Sequence, residues 1–164
     1  MLFRSKLRLT DPDPTVRRAA QQFIGSIIDF AGSFGAPAII GSMQGRWEGA
    51  VSKAQAIDWL RAGLDQLGPR ANQHGVPLLF EPLNRYETNL VNTVADGLEL
   101  LAPLQTGNVK LLCDLFHMNI EEADIADSLR SAGARVCHIH FVDSNRDRKS
   151  TRLNSSHLVI SYAV

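Results

Sequence analysis

Three residues that can bind a metal ion each stand at the end of a short apolar segment. Glu81 follows residues 76–80, Asp114 follows residues 109–113, and His140 lies near the end of a third such segment. Short apolar segments of this kind are typical of buried strands. Adjacent strands lie about 4.8 Å apart, so side chains at neighbouring strand ends can converge on one ion. Two carboxylates and a histidine suit a divalent first-row metal such as Mn²⁺, Co²⁺ or Zn²⁺.

Each of these residues also has an ordinary structural explanation when it is taken alone. Glu81 can serve as a helix cap or as an ion-pair partner. Asp114 can form a local hydrogen-bonded turn with His117. His138 and His140 can be two satisfied histidines in the interior of a barrel. Without a metal site, three independent structural explanations would have to coincide at successive strand ends. The combination therefore favours a metal site more than any single motif does.

The elements that would position these residues alternate between helices and strands. Asp13-Pro14 is a favourable helix start, with Asp as the N-cap and Pro at the first helical position. Apolar residues at helical spacing predict the helices, and short apolar runs predict the strands. The predicted helices cover about 13–35, 52–72, 91–101 and 121–132, and the predicted strands cover 37–40, 76–80, 109–113 and 135–142.

This order predicts an α/β fold with a parallel sheet covered by helices. Such folds build their active sites at the C-terminal ends of the strands. Both an open doubly wound sheet and a closed barrel fit the order. No Gly-x-Gly-x-x-Gly follows any predicted strand, so the dinucleotide-binding version of the open sheet has no support. A full barrel needs about 250 residues, and this sequence supplies about half of one.

Periodicity also predicts the directions of side chains. Cys113 and Cys137 are expected on the side opposite to Asp114 and His140, because side chains alternate along a strand. Both cysteines would then face the helices as small buried hydrophobes without a catalytic role. The apolar residues of the first helix that recur at helical spacing are Val16, Ala20, Phe23, Ile27, Ala31 and Phe34.

The composition excludes several classes of protein. The chain has 164 residues, 17 Lys and Arg against 17 Asp and Glu, and 45% hydrophobic residues, which is typical of one globular domain. It contains no apolar run long enough for a transmembrane helix, and its first residues do not resemble a signal peptide. The balanced charge disfavours a nucleic-acid partner. The two cysteines fit reduced thiols, so we expect a cytoplasmic protein with no membrane partner.

The two ends of the chain differ from its middle. Residues 147–164 lack periodicity and read as the translation of a common short-read sequencing adapter, and residues 1–5 read likewise over a shorter stretch. A natural, poorly structured C-terminal tail is the alternative. We therefore expect the domain to cover residues 6–146 and leave adapter-derived ends out of the fold. Without these ends the sequence is mildly acidic, because four basic residues and one acidic residue are removed.

The motifs at the predicted strand ends resemble those of a known family, the xylose-isomerase-like TIM barrels. Within it they are most similar to the branch of ketose 3-epimerases and sugar phosphate isomerases and epimerases. The resemblance covers about residues 9–146 and implies a partial (β/α)₈ barrel of about four parallel strands with their helices. The motifs are Glu81-Pro-Leu-Asn-Arg85-Tyr-Glu87, Asp114-Leu-Phe-His117-Met-Asn, and His138-x-His140 followed by Asn145-Arg146.

The resemblance implies a divalent metal held by four residues, three of which match Glu81, Asp114 and His140. Mn²⁺ is the ion expected first, with Co²⁺, Mg²⁺ and Zn²⁺ as alternatives. The fourth ligand, a glutamate on the last strand, has no counterpart in this sequence. The positions that hold the oxygens of the sugar in that family are matched by Glu87, His117 and Arg146.

The implied reaction is proton transfer next to the carbonyl of a free or phosphorylated ketose. Glu81 and the glutamate without a counterpart would remove and return the proton on opposite faces of the sugar. His117 and Arg146 would hydrogen-bond the developing oxyanion. We therefore expect the full-length parent to be a metal-dependent sugar isomerase or epimerase with a small-molecule partner, and a homo-oligomer is left open.

Two other functions are alternatives. An endonuclease IV-like zinc phosphodiesterase of DNA repair uses a related barrel, but it needs more histidine ligands and a basic groove. Only three histidines lie near the predicted strand ends, and the sequence without its ends is mildly acidic, which disfavours this class. The other alternative is that the chain as written is an inactive fragment and that the activity belongs to its parent.

Overall fold

The computed structural model describes residues 7–142 and shows helices alternating with parallel strands. The strands are β1 (Ile39–Ile40), β2 (Leu78–Phe80), β3 (Val109–Asp114) and β4 (Val136–His140). The helices are α1 (Pro14–Gly32), α2 (Lys53–Gln73), α3 (Val94–Leu101), α4 (Leu115–Glu121) and α5 (Ile125–Ala132), and short 3₁₀ turns cover Ser42–Gln44 and Gly133–Arg135. The four strands form one parallel sheet in the order β1-β2-β3-β4, which confirms the predicted α/β fold.

The register of the sheet brings the C-terminal ends of its strands together. Ile40 pairs with Phe80, Phe80 pairs with Leu111, and Asp114 pairs with His140. Because all neighbouring strands are parallel, the residues that end or follow them meet at one edge of the sheet. The fold therefore places the polar strand ends side by side, as the sequence predicts.

The helices pack on one face of the sheet, and the strands present alternate side chains to the two faces. Leu78, Phe80 and Leu111 belong to the apolar cluster that the helices cover. Leu79 and Leu112 are nearly fully buried but lie outside this cluster. Leu79 and Leu112 alternate with the cluster residues and so mark the opposite face of the sheet. Glu81 and Asp114, two positions further along each strand, lie on this same face.

Two helices start at other residues than predicted, because Thr93, Asp114 and Asp124 act as N-caps. Thr93 and Asp96 form a reciprocal capping box, so α3 begins later than predicted. Asp114 accepts a hydrogen bond from the backbone of α4 at 2.8 Å and starts this helix directly after β3. The single helix predicted from residue 121 onward is therefore wrong in its start, because Asp124 caps α5 separately.

The buried face of α1 shares only Ala20 with the apolar series that the sequence shows at helical spacing. Its buried residues are Ala20, Ile24, Gly25, Ile28 and Gly32. Three of the predicted apolar residues are exposed, namely Phe23, Ile27 and Phe34. Both sets have helical spacing, so periodicity alone could not separate them.

Two glycines explain which face of α1 is buried. A Cβ atom at Gly25 would overlap the guanidinium of Arg70, and one at Gly32 would overlap the imidazole of His74. Arg70 and His74 lie at the C-terminal end of α2, and both contact Asp29 of α1. The Nε of Arg70 donates to Oδ1 of Asp29 at 2.9 Å, and Nε2 of His74 lies 3.3 Å from the same oxygen. The glycines therefore let a polar cluster join the two helices.

The two cysteines lie in different environments, which corrects another prediction. Cys113 is 2% exposed in the apolar core, and its burial, followed by the charges of Glu122 and Glu81, raises the pKa of its thiol to about 12. Cys137 is exposed instead of buried. Among residues 7–142 the strand that carries it, β4, pairs with β3 alone and packs chiefly against that strand. Burial of Cys137 would need a helix over this strand.

Within the described part of the chain the sheet has two open edges, because β1 and β4 each pair on one side only. Ile39 of β1 is accordingly 43% exposed. No helix within residues 7–142 is both long and apolar enough to cross a membrane.

The cluster between α1 and α2 predicts how stability changes at acid pH. Hydrogen bonds from Arg70 and then from His74 lower the pKa of Asp29 from 3.8 to about 2. A carboxylate whose pKa falls on folding stabilises the protein above its unfolded pKa, and this contribution is lost as the pH falls through the folded pKa. We expect Asp29→Asn to lower the free energy of unfolding at neutral pH, and the difference from the unaltered protein to shrink between about pH 4 and pH 2.

Asp58→Asn is the matched control, because the Asp58 side chain is 68% exposed and lies 4.0 Å from Arg61. It should leave the free energy of unfolding nearly unchanged across the same range. Urea unfolding followed by circular dichroism measures all three proteins. Equal acid sensitivity of Asp29→Asn and the unaltered protein would contradict the role of the cluster.

Candidate active site

Glu81, Asp114 and His140 meet at the C-terminal edge of the sheet. Asp114 and His140 end β3 and β4 and are paired in the register, and Glu81 directly follows β2. Nδ1 of His140 lies 3.4 Å from Oδ2 of Asp114 and 3.8 Å from Oε1 of Glu81. Ligand atoms from the three residues all lie within 4.8 Å of one another. Only small side-chain movements are needed for all three to contact one ion.

The chemistry of these three residues fits a divalent metal ion. The side chains of Glu81 and Asp114 are only 12% and 11% exposed, so two carboxylates lie close together where water is scarce. Like charges in such a place are costly unless a cation or protons offset them. Carboxylate oxygens and an imidazole nitrogen together suit Mn²⁺, Co²⁺ or Zn²⁺. These residues would therefore be the ones that hold the metal.

Asp114 uses its two carboxylate oxygens for different purposes. Oδ1 accepts the backbone N–H of Phe116 at 2.8 Å and caps α4, whereas Oδ2 faces His140. The cap fixes the orientation of the carboxylate, because a side chain held at one oxygen cannot rotate freely about its bonds. The oxygen that would bind metal is thus oriented by the start of the helix.

Glu81 is positioned by the loop after β1. Its backbone N–H donates to the carbonyl of Ile40 at 3.0 Å, and its own carbonyl accepts from Nε2 of Gln44 at 3.1 Å. A Cβ atom at Gly41 would lie only 2.8 Å from Oε2 of Glu81, which is closer than such atoms approach in proteins. A glycine at position 41 therefore leaves room for the carboxylate.

His117 and Glu87, both predicted to bind substrate, lie beside the three candidate ligands. His117 is 3% exposed, and its Nε2 lies 3.9 Å from Oε1 of Glu81. Its Nδ1 is close to Asn84, whose backbone N and side-chain Nδ2 lie at 3.2 and 2.8 Å. The Glu87 side chain is 38% exposed, with Oε1 4.0 Å from Nδ1 of His117. Both predicted residues therefore border the same space as Glu81.

An ion pair ties the loop after β2 to α4. Nε and Nη2 of Arg85 donate to the two carboxylate oxygens of Glu121 at 2.9 and 3.0 Å, and the backbone N–H of Arg85 donates at 2.6 Å. The Glu121 side chain is 6% exposed, and the hydrogen bonds from Arg85 lower the pKa of its carboxyl. A two-pronged pair on a nearly buried carboxylate restrains the chain more than a surface pair does. It holds Glu87 close to the helix that carries His117.

A second set of contacts joins the loops after β1 and β2. The backbone N–H and Nε1 of Trp47 donate to Oδ1 and the carbonyl of Asn89, each at 3.0 Å. Nδ2 of Asn89 returns a hydrogen bond to the carbonyl of Trp47 at 3.0 Å. The hydroxyl of the buried Thr88 donates to the carbonyl of Gly45 at 2.7 Å. These bonds fix the two loops relative to each other.

Four of the candidate residues, Glu81, Glu87, Asp114 and His117, border an open pocket of about 410 Å³, a volume typical of small-molecule sites. Three of its described lining residues carry carboxylates, and no Lys or Arg is among the described lining residues. The pocket is therefore suited to a cation together with an uncharged, hydroxyl-rich molecule. It is lined by Ser42, Glu81, Leu83, Glu87, Asp114, His117 and Val142.

Arg46 and His138 do not line this pocket. Arg146, predicted to bind substrate, lies outside the described residues, as do the ends predicted to be adapter-derived. The loop 41–45 contributes Ser42 to the pocket, whereas Arg46 is exposed and does not line it. The ring of His138 packs against that of His140 at 5.3 Å, but His138 is not one of the three converging ligands.

Sequence reasoning placed Gly41 in a loop that could line the pocket, but it missed the approach of Gly41 to Glu81 and the contact of Asn84 with His117. Neither residue type signals metal or proton chemistry by itself. The available signals were that Gly41 directly follows a predicted strand and that Asn84 lies between Glu81 and Glu87. Only the fold brings Asn84 to His117, which is 33 residues away in the chain.

Comparison with known families identifies the fold. The sequence model described as xylose isomerase-like TIM barrel matches residues 2–162. The chain belongs to this family. Its four parallel strands and helices are part of a TIM barrel, which confirms the predicted partial barrel.

Several curated relatives of this chain are ketose 3-epimerases. The D-psicose 3-epimerase of Agrobacterium fabrum is 33% identical over 142 residues, which cover 84% of this chain and 49% of the relative. The L-ribulose 3-epimerase of Mesorhizobium japonicum is 40% identical over 90 residues, which cover 54% of this chain and 30% of the relative. The chain spans about half the length of the curated relatives that it matches over most of its length.

Solved structures show the same similarity. The crystal structure of a D-psicose 3-epimerase in the presence of D-fructose matches 95% of this chain and 57% of its own, with a TM-score of 0.79 and 30% identity. The structure of an L-ribulose 3-epimerase matches 96% of this chain and 56% of its own, with a TM-score of 0.81 and 27% identity. The xylose isomerase-like chain thus shares its fold with these epimerases over nearly all of its length.

The contact between Gly41 and Glu81 predicts the effect of one added methyl group. In Gly41→Ala the new Cβ would displace the Glu81 carboxylate, because it would lie 2.8 Å from Oε2. Displacing one of three ligands should weaken Mn²⁺ binding by about 10-fold or more. Calorimetric titration with Mn²⁺ measures this change.

Gly107→Ala is the matched control. A Cβ atom there meets nothing within 4 Å, and its φ angle is not in the positive range. It should bind Mn²⁺ as the unaltered protein does. Equal affinities for both variants would show that the Glu81 carboxylate does not bind the ion.

Proposed function

We propose that this chain is part of a metal-dependent ketose 3-epimerase, an enzyme that inverts the carbon next to a ketose carbonyl by moving its proton. The observation that carries the proposal is the convergence of Glu81, Asp114 and His140 at the C-terminal edge of the sheet. TIM-barrel active sites lie at this end of the barrel. The ketose 3-epimerases among the relatives support the same class of reaction.

Glu81, Asp114 and His140 would hold a divalent ion, with Mn²⁺ as the first candidate and Co²⁺, Mg²⁺ or Zn²⁺ as alternatives. When bound, such an ion supplies positive charge that makes the proton next to a carbonyl more acidic. The ligands come from three adjacent strands, so their spacing is set by the sheet.

Glu81 is proposed as the base that removes the proton. Its carboxylate faces the pocket and is only 12% exposed, so little water competes for it. Inversion also requires an acid that returns a proton to the opposite face. The family resemblance assigns this step to a glutamate without a counterpart in this sequence. We therefore propose that the complete enzyme contains further barrel strands and that the chain by itself is inactive.

His117 and Glu87 are proposed to hold the sugar. Nε2 of His117 lies beside Glu81, where an N–H can hydrogen-bond an oxygen that becomes negative as the proton leaves. Glu87 is more exposed, at 38%, and its carboxylate can accept a hydrogen bond from a sugar hydroxyl. A substrate-binding role of Arg146 stays a prediction.

The charge of the pocket favours an uncharged ketose over a sugar phosphate. Its described lining holds three carboxylates without a Lys or Arg, and nearby like charges repel a phosphate. The same argument disfavours the phosphodiester backbone of DNA, the substrate of the alternative endonuclease. The sugars in the names of the relatives, psicose and ribulose, belong to the uncharged class.

The cellular location and the oligomeric state of the protein are proposed from features outside the site. Both cysteines are free thiols, which supports the predicted cytoplasmic location. A homo-oligomer stays a prediction.

The sharpest test is exchange of the proton on the substrate carbon with solvent deuterium in the full-length protein that carries this chain. D-Psicose, D-fructose and L-ribulose are the substrates to try first. We expect Mn²⁺-dependent exchange, and Glu81→Gln should lower its rate by about 10²- to 10⁴-fold because the base is lost. Nuclear magnetic resonance of the sugar measures the exchange.

Glu99→Gln is the matched control, since Glu99 is an exposed residue of α3. It should exchange at the unaltered rate. The absence of exchange with every ketose tested would contradict the epimerase proposal. Exchange that is unaffected by Glu81→Gln would contradict the assignment of the base.

A further inference from the structure

We infer that Asn84 is a positioning residue that keeps the proton of His117 on Nε2, so that the imidazole presents an N–H donor to the pocket. Asn84 and His117 are 2% and 3% exposed, so water does not decide which nitrogen is protonated. The catalytic consequence rests on the proposed function, whereas the position of the proton does not.

The donors around Nδ1 decide the tautomer. The backbone N–H of Asn84 points at Nδ1 of His117 at 3.2 Å. A backbone N–H can only donate, so this contact favours an unprotonated Nδ1 that accepts. In a neutral imidazole the proton is then on Nε2.

The side chain of Asn84 reinforces this arrangement. Its Oδ1 accepts the backbone N–H of Tyr86 at 3.0 Å, which fixes the orientation of the amide. Nδ2 is therefore the end that faces His117, and it donates to Nδ1 at 2.8 Å. Two donors from one residue thus converge on the same nitrogen. Oε1 of Glu87 lies farther from Nδ1, at 4.0 Å.

The opposite nitrogen faces the reaction. Nε2 of His117 lies 3.9 Å from Oε1 of Glu81, and the ring lines the pocket. A fixed N–H at this position can donate to the substrate oxygen that becomes negative when Glu81 removes the proton. With the other tautomer the lone pair of Nε2 would face that oxygen and oppose the charge. Asn84 therefore acts on the reaction through His117, without contact with the substrate.

Long-range proton–nitrogen correlation spectra of the ¹⁵N-labelled protein, recorded without a paramagnetic ion, show which nitrogen of each histidine is protonated. The His117 signals are identified by their loss in His117→Gln. We expect a protonated Nε2 and an unprotonated Nδ1. Asn84→Asp keeps the shape and the backbone N–H but replaces the donating amide, which is the closer of the two donors, by an accepting oxygen. The negative charge of this oxygen should outweigh the backbone donor and move a proton onto Nδ1.

Asn119→Asp makes the same chemical change at an exposed position of α4 and should leave the His117 signals unchanged. In the full-length protein Asn84→Asp should lower kcat by about 100-fold, as the loss of one oxyanion donor does, with a much smaller change in KM. A protonated Nδ1 in the unaltered protein, or unchanged His117 signals in Asn84→Asp, would overturn the inference. The expected tautomer without any epimerisation would support the inference and contradict the proposed function.

Discussion

The site depends on one electrostatic constraint, the close approach of two nearly buried carboxylates at the ends of neighbouring parallel strands. Glu81 and Asp114 are both about nine-tenths buried, and His140 is within 4 Å of each. The sheet register fixes the backbone positions from which the two side chains extend, so these positions cannot separate without breaking strand pairing. Two such carboxylates are costly to keep charged unless a cation or protons offset them, which links the fold to metal chemistry.

The surrounding loops are held in place by hydrogen bonds and an ion pair that position the site residues without taking part in the reaction. Arg85 ties the loop after β2 to α4 through Glu121, and Asp114 starts α4 while it faces His140. The residues that would bind metal and the residue that would bind substrate, His117, therefore belong to one connected unit. A change in one loop is expected to reach both functions.

The sequence predicted the strand ends well because their signal is local. Glu81 and Asp114 follow short apolar runs and His140 lies near the end of another, and these runs differ clearly from the helices. The apolar series of α1 does not mark its buried face, because two series have helical spacing and only the approach of Arg70 to Gly25 and of His74 to Gly32 distinguishes them. The contacts of Gly41 with Glu81 and of Asn84 with His117 were missed for a similar reason, since each joins residues that are far apart in the chain. The exposure of Cys137 depends on whether a helix covers β4. Strand periodicity predicts which face a side chain is on but not whether another element covers that face.

The central claim is that one divalent ion binds between Glu81, Asp114 and His140. Anomalous diffraction from crystals of the protein grown with Mn²⁺ tests it most directly, because the signal locates the ion independently of the protein coordinates. The account predicts one peak at about 2.0–2.3 Å from an oxygen of Glu81, Oδ2 of Asp114 and Nδ1 of His140. A fully occupied peak elsewhere, or no peak at this position in Mn²⁺ far above the protein concentration, would contradict it.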